Sequence, residues 1–549
     1  MVESVSLGAP TEQFPRWPLA YQQRYRAAGY WKGQTFGELL RDWARCHANR
    51  TALVDEDHLL GASTRRWTYA ELDEQADRVC AGLRRLGLRR GDRVVLHLPN
   101  CAEFILVWFG LQRLGAVPVH AMPGHRRAEI SHLAAQSGAV AYVSAGFDVR
   151  FDYRELADQV RTDVLRHVIM VGGDPGRDQV PFTELIRTDP TDELEDGPAP
   201  SDLALLLLSG GTTGMPKLVP RTHDDYAYSA RAYADICAMD AESVYLALLP
   251  VGFNYPFACP GVLGALTVGG TAVIAPDPSP DTAFELIERE RGTITSINPP
   301  LVPLWLAEYE VSRPDLSSLR VLQVGSARLA DDMARRIEPT LGVRLQQGYG
   351  MAEGLLNCTR LDDPDELVCT TQGRPISPDD ELRVVDPVTG ASVPDGDTGE
   401  LLTRGPYTIR GYYRGGAVND APFTPDGFYR TGDLVRLLPS GHLVVVGRVK
   451  DQINRGGEKI VATEVEGHLL AHPAISAAAL VAATDPVWGE TPVAFVVCAD
   501  PPPTVGEIAA FLADRGLAAY KAPARIEVVD ELPLTPVGKI DKTALRALL

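Results

Sequence analysis

The sequence predicts an α/β protein with a large N-terminal domain and a smaller α+β domain at its C-terminal end. Three observations lead there. Helix-patterned and strand-patterned stretches alternate through the first ~200 residues, as a parallel sheet flanked by helices requires. At 549 residues the chain exceeds what one ordinary core supports. The ~100 residues after Gly447-Arg448-Val449-Lys450 hold a further complete set of elements, enough for a separate small domain.

In chain order, Glu71 to Leu88 places apolar residues at helical spacing, and Asp92 to Leu98 reads as a short buried strand. A second helical stretch, Glu103 to Leu114, leads into the strand-like Ala116 to Val119. The acidic, Pro-rich run from Asp189 to Asp202 is a surface loop, and it ends against the apolar strand Leu203 to Leu208. Beyond Lys450, a helix over Ala462 to Leu470 and a strand over Ala477 to Ala482 are expected. These features divide the chain into residues 1–449 and 450–549.

Composition narrows the function. Apolar residues make up 45% and charged residues 23%, which is ordinary for a globular chain. The formal charge of −19, from 53 Lys and Arg against 72 Asp and Glu, argues against nucleic acid as a partner, because phosphate backbones need a clustered positive field. No apolar run reaches membrane-spanning length, and the first residues lack the basic start and apolar centre of a signal peptide. A cytoplasmic protein is expected. The eight cysteines are scattered, without CxxC pairs or metal-ligand spacing, and read as reduced, mostly buried thiols.

The strongest local signal is Ser209-Gly210-Gly211-Thr212-Thr213-Gly214-Met215-Pro216-Lys217. It follows a buried strand. Its glycines let the backbone bend close to a ligand with N–H groups exposed, and its hydroxyls and Lys217 add donors suited to a triphosphate. It is not a Walker A loop, because Lys217 follows Pro216 and precedes Leu218. The loop resembles the phosphate loop of the adenylate-forming superfamily, which includes acyl-CoA synthetases, luciferases and the adenylation domains of nonribosomal peptide assembly. Further signatures of that superfamily follow in order: Gly348-Tyr349-Gly350-Met351-Ala352-Glu353, Tyr429-Arg430-Thr431-Gly432-Asp433, Gly447 to Ile453, and Pro536-Val537-Gly538-Lys539.

The resemblance implies ATP and Mg²⁺ as cofactors and assigns roles. Lys539 would bridge a carboxylate and the α-phosphate, with Lys217 and Glu353 as further catalytic groups. Glu353 and Thr213 would serve the metal. Asp433 would accept the ribose hydroxyls and Arg448 would lie near ribose or phosphate. Tyr349 would offer a ring face to adenine, beside Gly350, with Gly325 and Ala327 leaving room for the base. Lys450 would be the hinge on which the small domain turns, exchanging Lys539 for the segment Arg455-Gly456-Gly457-Glu458-Lys459 at a thiol tunnel. The chemistry agrees, since two anions must approach each other and catalysis has to come from positive charge and positioning. Because Lys217, Glu353, Asp433, Arg448 and Lys539 are all present, a decayed, non-catalytic nucleotide-binding protein is a remote alternative.

Within the superfamily the chain is most similar to stand-alone aryl-acid ligases of siderophore-type pathways, which activate 2,3-dihydroxybenzoate or salicylate. The similarity rests on Asn454 to Lys459, Gly405 to Tyr413, Gly516 to Lys521 and Asn254-Tyr255-Pro256. Phe253, Asn254, Tyr255, Cys259, Ser326, Gly348 and Leu356 are the expected substrate residues. Asn254 would face the carboxylate and its ortho hydroxyl, for which an amide offers both donor and acceptor. Cys259 and Leu356 resemble the pair in salicylate enzymes, where dihydroxybenzoate enzymes tend to carry Ser and Val. A 3-hydroxyl would then be buried without a partner, at a cost of roughly 1–3 kcal/mol.

Phe253 replaces the subgroup's usual His. Gly348 replaces a bulkier apolar residue, and the missing side chain is expected to open room for a ring substituent such as the methyl of 6-methylsalicylate. A hydroxypicolinate remains an alternative acid. The acyl acceptor is expected in trans, as the phosphopantetheine arm of an aryl carrier protein or, alternatively, as coenzyme A.

Overall fold

The computed structural model describes residues 14–56, 64–148, 151–190, 197–209, 216–456, 458–499, 501–535 and 539–549. The expected elements form with boundaries shifted by their caps. The first long helix spans Tyr69–Arg85. It starts ahead of Glu71 because Thr68 caps it and Glu71 closes the reciprocal capping box. Helix Ala102–Leu114 is buried on every side and ends on Gly115 in the left-handed conformation that a glycine reaches without strain.

Among the described residues, two large sheets carry the bulk of the chain. One has nine strands. Its parallel centre is built from Thr51–Asp55, Thr271–Ile274, Val244–Ala247, Ile294–Ile297, Val321–Val324 and Arg344–Met351. Antiparallel strands Arg65–Thr68, Leu355–Cys358 and Arg374–Pro375 close its two edges. The other has seven strands, parallel from Leu203–Leu208 through Val117–His120, Arg93–His97, Ala141–Ala145 and His167–Val171 to Val180–Pro181. Helices Tyr69–Arg85, Ala102–Leu114 and His223–Ile236 contribute to the apolar core shared by the two sheets. Such sheets present ligands at the carboxyl ends of their strands. Ser209, Gly325 and the loop before Asn254 all follow such ends.

Two smaller units follow. A four-stranded antiparallel sheet runs Glu381–Val385, Thr398–Arg404, Tyr429–Leu437 and Leu443–Arg448. The sequence reading had merged it with the larger N-terminal region. After the short turn Val449–Asp451 comes a five-stranded sheet with helices Ala462–Leu469 and Val505–Asp514. Its core of Ile453, Ile460, Val465, Leu469, Leu480, Val496, Ile508 and Leu512 is separate from the larger one. Among the described residues no helix is long and apolar enough to cross a membrane.

Gly373 pins the edge of the nine-stranded sheet. It has φ +74°, and a Cβ there would lie 1.9 Å from the carbonyl carbon of Cys358. Gly390 has a similar φ of +71° with no neighbour within 4 Å. Gly373→Ala should therefore cost about 2–4 kcal/mol through strain and backbone displacement. In thermal unfolding it should lower Tm clearly more than Gly390→Ala, which meets only the conformational cost.

Candidate active site

The site begins at a hairpin. Strands Tyr429–Leu437 and Leu443–Arg448 pair in a register that sets Asp433 opposite Arg448. The guanidinium Nε lies 2.8 Å from Asp433 Oδ1. The Tyr349 hydroxyl donates to the other carboxylate oxygen at 2.7 Å. The Asp433 amide donates to Thr431 Oγ1 at 3.0 Å, fixing the turn before it. The carboxylate is buried and used on both oxygens, so its orientation is held before any ligand arrives. Asp433 in turn holds the Arg448 guanidinium above its ordinary range.

Lys539 reaches this pair from the C-terminal unit. The Thr535 amide donates to the Lys539 carbonyl at 2.6 Å, and the Lys539 amide donates to Thr535 Oγ1 at 3.1 Å. These bonds tie Lys539 to Thr535. Burial and the neighbouring Arg448 depress the Lys539 ammonium to about 8, opposed by Asp433 and Glu353. The structure thus brings Lys539, Arg448, Asp433 and Glu353 together. Lys450, in the turn Val449–Asp451, is lowered first by burial and then by Arg448.

Glu353 forms the link to the phosphate-loop segment. Its buried carboxylate accepts from the Tyr412 hydroxyl at 2.9 Å, and the Tyr412 and Tyr429 hydroxyls are 3.1 Å apart. Burial raises the Glu353 carboxyl above the usual range. On the other side of Tyr412, Lys217 Nζ lies 4.7 Å from the ring centroid, within cation–π reach. Ser209 and Lys217 clasp each other: the Ser209 amide donates to the Lys217 carbonyl at 3.0 Å, and the Lys217 amide donates to Ser209 Oγ at 3.1 Å. Gly210, Gly211, Thr212, Thr213 and Gly214 lie outside the described residues.

The acid half of the site is organised by helix His223–Ile236. Its residue Tyr226 donates to Asn254 Oδ1 at 2.8 Å, so the amide nitrogen points the other way, 3.5 Å from Cys259 Sγ. Asn254 therefore presents N–H groups, with its carbonyl already engaged. Burial pushes the Cys259 thiol up to about 12, which keeps it neutral. Leu356 is buried and Phe253 half-buried beside these residues.

Three of the expected glycines stand against side chains. A Cβ on Gly325 would meet the Tyr255 ring at 2.8 Å, and one on Gly350 would meet Leu356 Cδ2 at 2.5 Å. Gly325 thus makes room for Tyr255 and Gly350 for Leu356. A Cβ on Gly348 would lie 2.9 Å from the Tyr233 hydroxyl. The space expected for a ring substituent there is already taken by that phenol. Ser326 has φ +70°, and its hydroxyl oxygen is out of solvent without a hydrogen-bond partner. Strained backbone and an orphaned polar atom are features that gather at ligand sites. Ala327 beside it is exposed.

Residues 40–413 match the family model described as AMP-binding enzyme, and residues 464–539 match that of the AMP-binding enzyme C-terminal domain. The chain belongs to the AMP-binding enzyme family. It is 50% identical to the 2,3-dihydroxybenzoate-AMP ligase of Bacillus subtilis, over 97% of each chain. It is 49% identical to the salicyl-AMP ligase / salicyl-S-ArCP synthetase of Mycobacterium tuberculosis, over 97% of this chain and 94% of that one. The apo structure of MbtA from Mycobacterium smegmatis is 47% identical and superposes with a TM-score of 0.76, covering 98% of this chain and 99% of the other.

Within this AMP-binding enzyme several participating residues were given no role from the sequence. Tyr412 joins Lys217 to Glu353, and Tyr226 orients Asn254. Arg221 is fully buried, paired with Asp225 at 2.6 Å, and its guanidinium carbon lies 4.9 Å from the Tyr226 ring centroid. The buried ion pair one turn ahead of Tyr226 was the available signal, visible in the sequence as Arg221 and Asp225 at i, i+4.

A metal would find the Glu353 carboxylate here, the oxygens of Asp433 being engaged by Arg448 and Tyr349. Among the described residues no group of three or more His, Cys, Asp or Glu could hold an ion. That suits Mg²⁺, which uses one or two carboxylates and takes its remaining ligands from phosphates and water.

Asp433→Ala should leave both Tyr349 and Arg448 without their shared partner. Calorimetric titration with AMP should show affinity reduced at least about tenfold, equivalent to roughly 1.4 kcal/mol. Affinity within about threefold of wild type would exclude Asp433 from the nucleotide subsite.

Proposed function

We propose that this protein is a salicylate-type aryl acid:AMP ligase that forms an aryl-adenylate from ATP and transfers the aryl group to the phosphopantetheine thiol of a carrier protein in siderophore-type biosynthesis. The observation that carries this reading is the meeting of two half-sites. Lys539, Arg448 and Lys217 bring positive charge to one cleft, beside a pocket whose ring-facing residues are neutral.

In the first step a carboxylate oxygen of the acid attacks the α-phosphorus, forming the acyl–phosphate bond as the bond to pyrophosphate breaks. Lys539 offsets the repulsion between the two anions, Lys217 and Arg448 steady the phosphates, and Asp433 with Tyr349 holds the ribose and base. Glu353, with the loop hydroxyl of Thr213, would hold Mg²⁺, which supplies charge neutralisation on the phosphates. In the second step the carrier's thiolate attacks the acyl carbon and AMP leaves, the thiol proton having passed to solvent. We place the domain boundary at 449/450, with Lys450 as the pivot that withdraws Lys539 between steps. The Asn254 amide N–H groups would meet the carboxylate and ortho hydroxyl, while Cys259 and Leu356 disfavour a 3-hydroxyl.

Acid-dependent exchange of labelled pyrophosphate into ATP should be strong with salicylate, weaker with 2,3-dihydroxybenzoate, and negligible with benzoate or a fatty acid. Exchange driven best by another acid would discard the pocket assignment and keep the adenylation chemistry. A carrier protein should accept the acyl group in preference to coenzyme A.

Lys539→Ala should reduce adenylate formation by about 10²-fold or more while sparing thioester formation from supplied aryl-adenylate. Equal loss of both half-reactions would refute the assigned role.

Lys539 is charged below its pKa, so kcat/KM for adenylation in the wild type should fall as pH rises through about 8. That limb should be absent from the residual rate of Lys539→Ala. A wild-type profile flat from pH 7 to 9.5 would contradict a working lysine in this environment.

A further inference from the structure

The volume at Gly348 is claimed from across the pocket. Tyr226 and Tyr233 are seven residues apart on helix His223–Ile236, which places them on one face of the helix. Both are buried. Tyr226 ends on Asn254, at the end of the pocket assigned to the carboxylate. Tyr233 runs to the opposite end.

There its hydroxyl lies where a side chain on Gly348 would begin, at 2.9 Å. Gly348 and Cys358 stand directly opposite each other in the hairpin formed by Arg344–Met351 and Leu355–Cys358. Tyr255 and Cys259, both assigned to the acid pocket, are among the groups that sense the Tyr233 charge state. The phenol therefore crosses the inner face of the hairpin and supplies, from the helix, the wall that a side chain at 348 would supply from the sheet.

We propose that Tyr233 is a specificity-determining residue of the acid pocket: its hydroxyl closes the ring end, in steric exchange with position 348, and restricts the enzyme to monocyclic hydroxyaryl acids. This rests on the reading of the site as an aryl-acid pocket. A bicyclic acid cannot extend past the phenol, and a larger residue at 348 cannot coexist with it. Because the contact involves the terminal oxygen of Tyr233, removing that one atom relieves the conflict.

Two measurements test this, both by pyrophosphate exchange with the purified full-length protein. In the first, Tyr233→Ser is compared with wild type on salicylate and 3-hydroxy-2-naphthoate. The ratio of kcat/KM for naphthoate over salicylate should rise at least tenfold. In the second, Gly348→Ala, Tyr233→Phe and the double variant form a cycle. Gly348→Ala alone should raise the salicylate KM several-fold, and adding Tyr233→Phe should bring it back to within twofold of Tyr233→Phe alone.

The cycle uses near-isosteric changes, so it reads the contact even where Tyr233→Ser folds poorly. A merely structural role for Tyr233 would not move the acid ratio or produce compensation. An acid ratio within twofold of wild type, or additive effects in the cycle, would overturn the inference while wild-type exchange with salicylate leaves the aryl-acid reading standing. Absence of exchange with every aryl acid in the wild type would overturn that reading and this inference with it.

Discussion

The arrangement depends on holding the Lys539 ammonium in a cleft that already contains Arg448 and Lys450. Two acids, Asp433 and Glu353, partly balance them, but Asp433 is committed to Arg448 and Tyr349, and Glu353 to Tyr412. Burial and like charge together depress the lysine to about 8. A site in this condition gains from any anion that enters it, and phosphate groups are the anions its geometry suits. The same imbalance explains why the lysine sits on a separate small unit joined through a short turn. A charge that is costly to bury without its ligand is easily withdrawn once the ligand's charge has changed.

A parallel sheet flanked by helices was legible in the first ~200 residues because each signal there was local and redundant, whereas the strands of the nine-stranded sheet between Val244 and Pro375 were not read. The strand Leu203–Leu208 is an uninterrupted apolar run bounded by polar loop and glycine-rich segment, and it forms as read. Helix Tyr69–Arg85 was legible from spacing, and its earlier start follows from a Thr–Glu capping pair that the apolar pattern does not register. The four-stranded sheet around Asp433 was not separated from the larger region. Its strands are antiparallel and interrupted by bulges, and nothing in the chain between Glu381 and Arg448 marks a boundary.

At the site, the motif residues could be named from the sequence because the chemistry expected of them is written in their type and order. Asp433, Arg448, Glu353 and Lys539 do converge. The tyrosines were missed for a physical reason. Tyr226 and Tyr233 act through one hydroxyl each on residues distant in sequence, and Tyr412 joins Glu353, Tyr429 and Lys217, contacts that only the folded chain brings about. The glycines misled for a related reason. A glycine announces that space is needed, but only the packed structure tells who uses it. At Gly348 the occupant is Tyr233, and at Gly325 it is Tyr255.

The two halves of the site then work by opposite electrostatic rules. Around the nucleotide subsite, charges are close and mutually compensating, so binding there is a matter of completing a network. Around Asn254 the polar groups are all uncharged: burial raises the Cys259 thiol to about 12 and lifts the Tyr226, Tyr233 and Tyr255 phenols well above their usual range. Among the described residues, the cations near that pocket are the buried Arg221, whose charge is matched by Asp225, and Arg360, which donates to the Cys358 carbonyl. On the proposed function a carboxylate's negative charge would be met from the Lys539 side, and the walls would act through shape and neutral hydrogen bonds. Selection among acids is thereby separated from the charge chemistry. Substituting a wall residue can change which acid fits without disturbing how the carboxylate is activated, and a family built on one nucleotide site can accept many different acids.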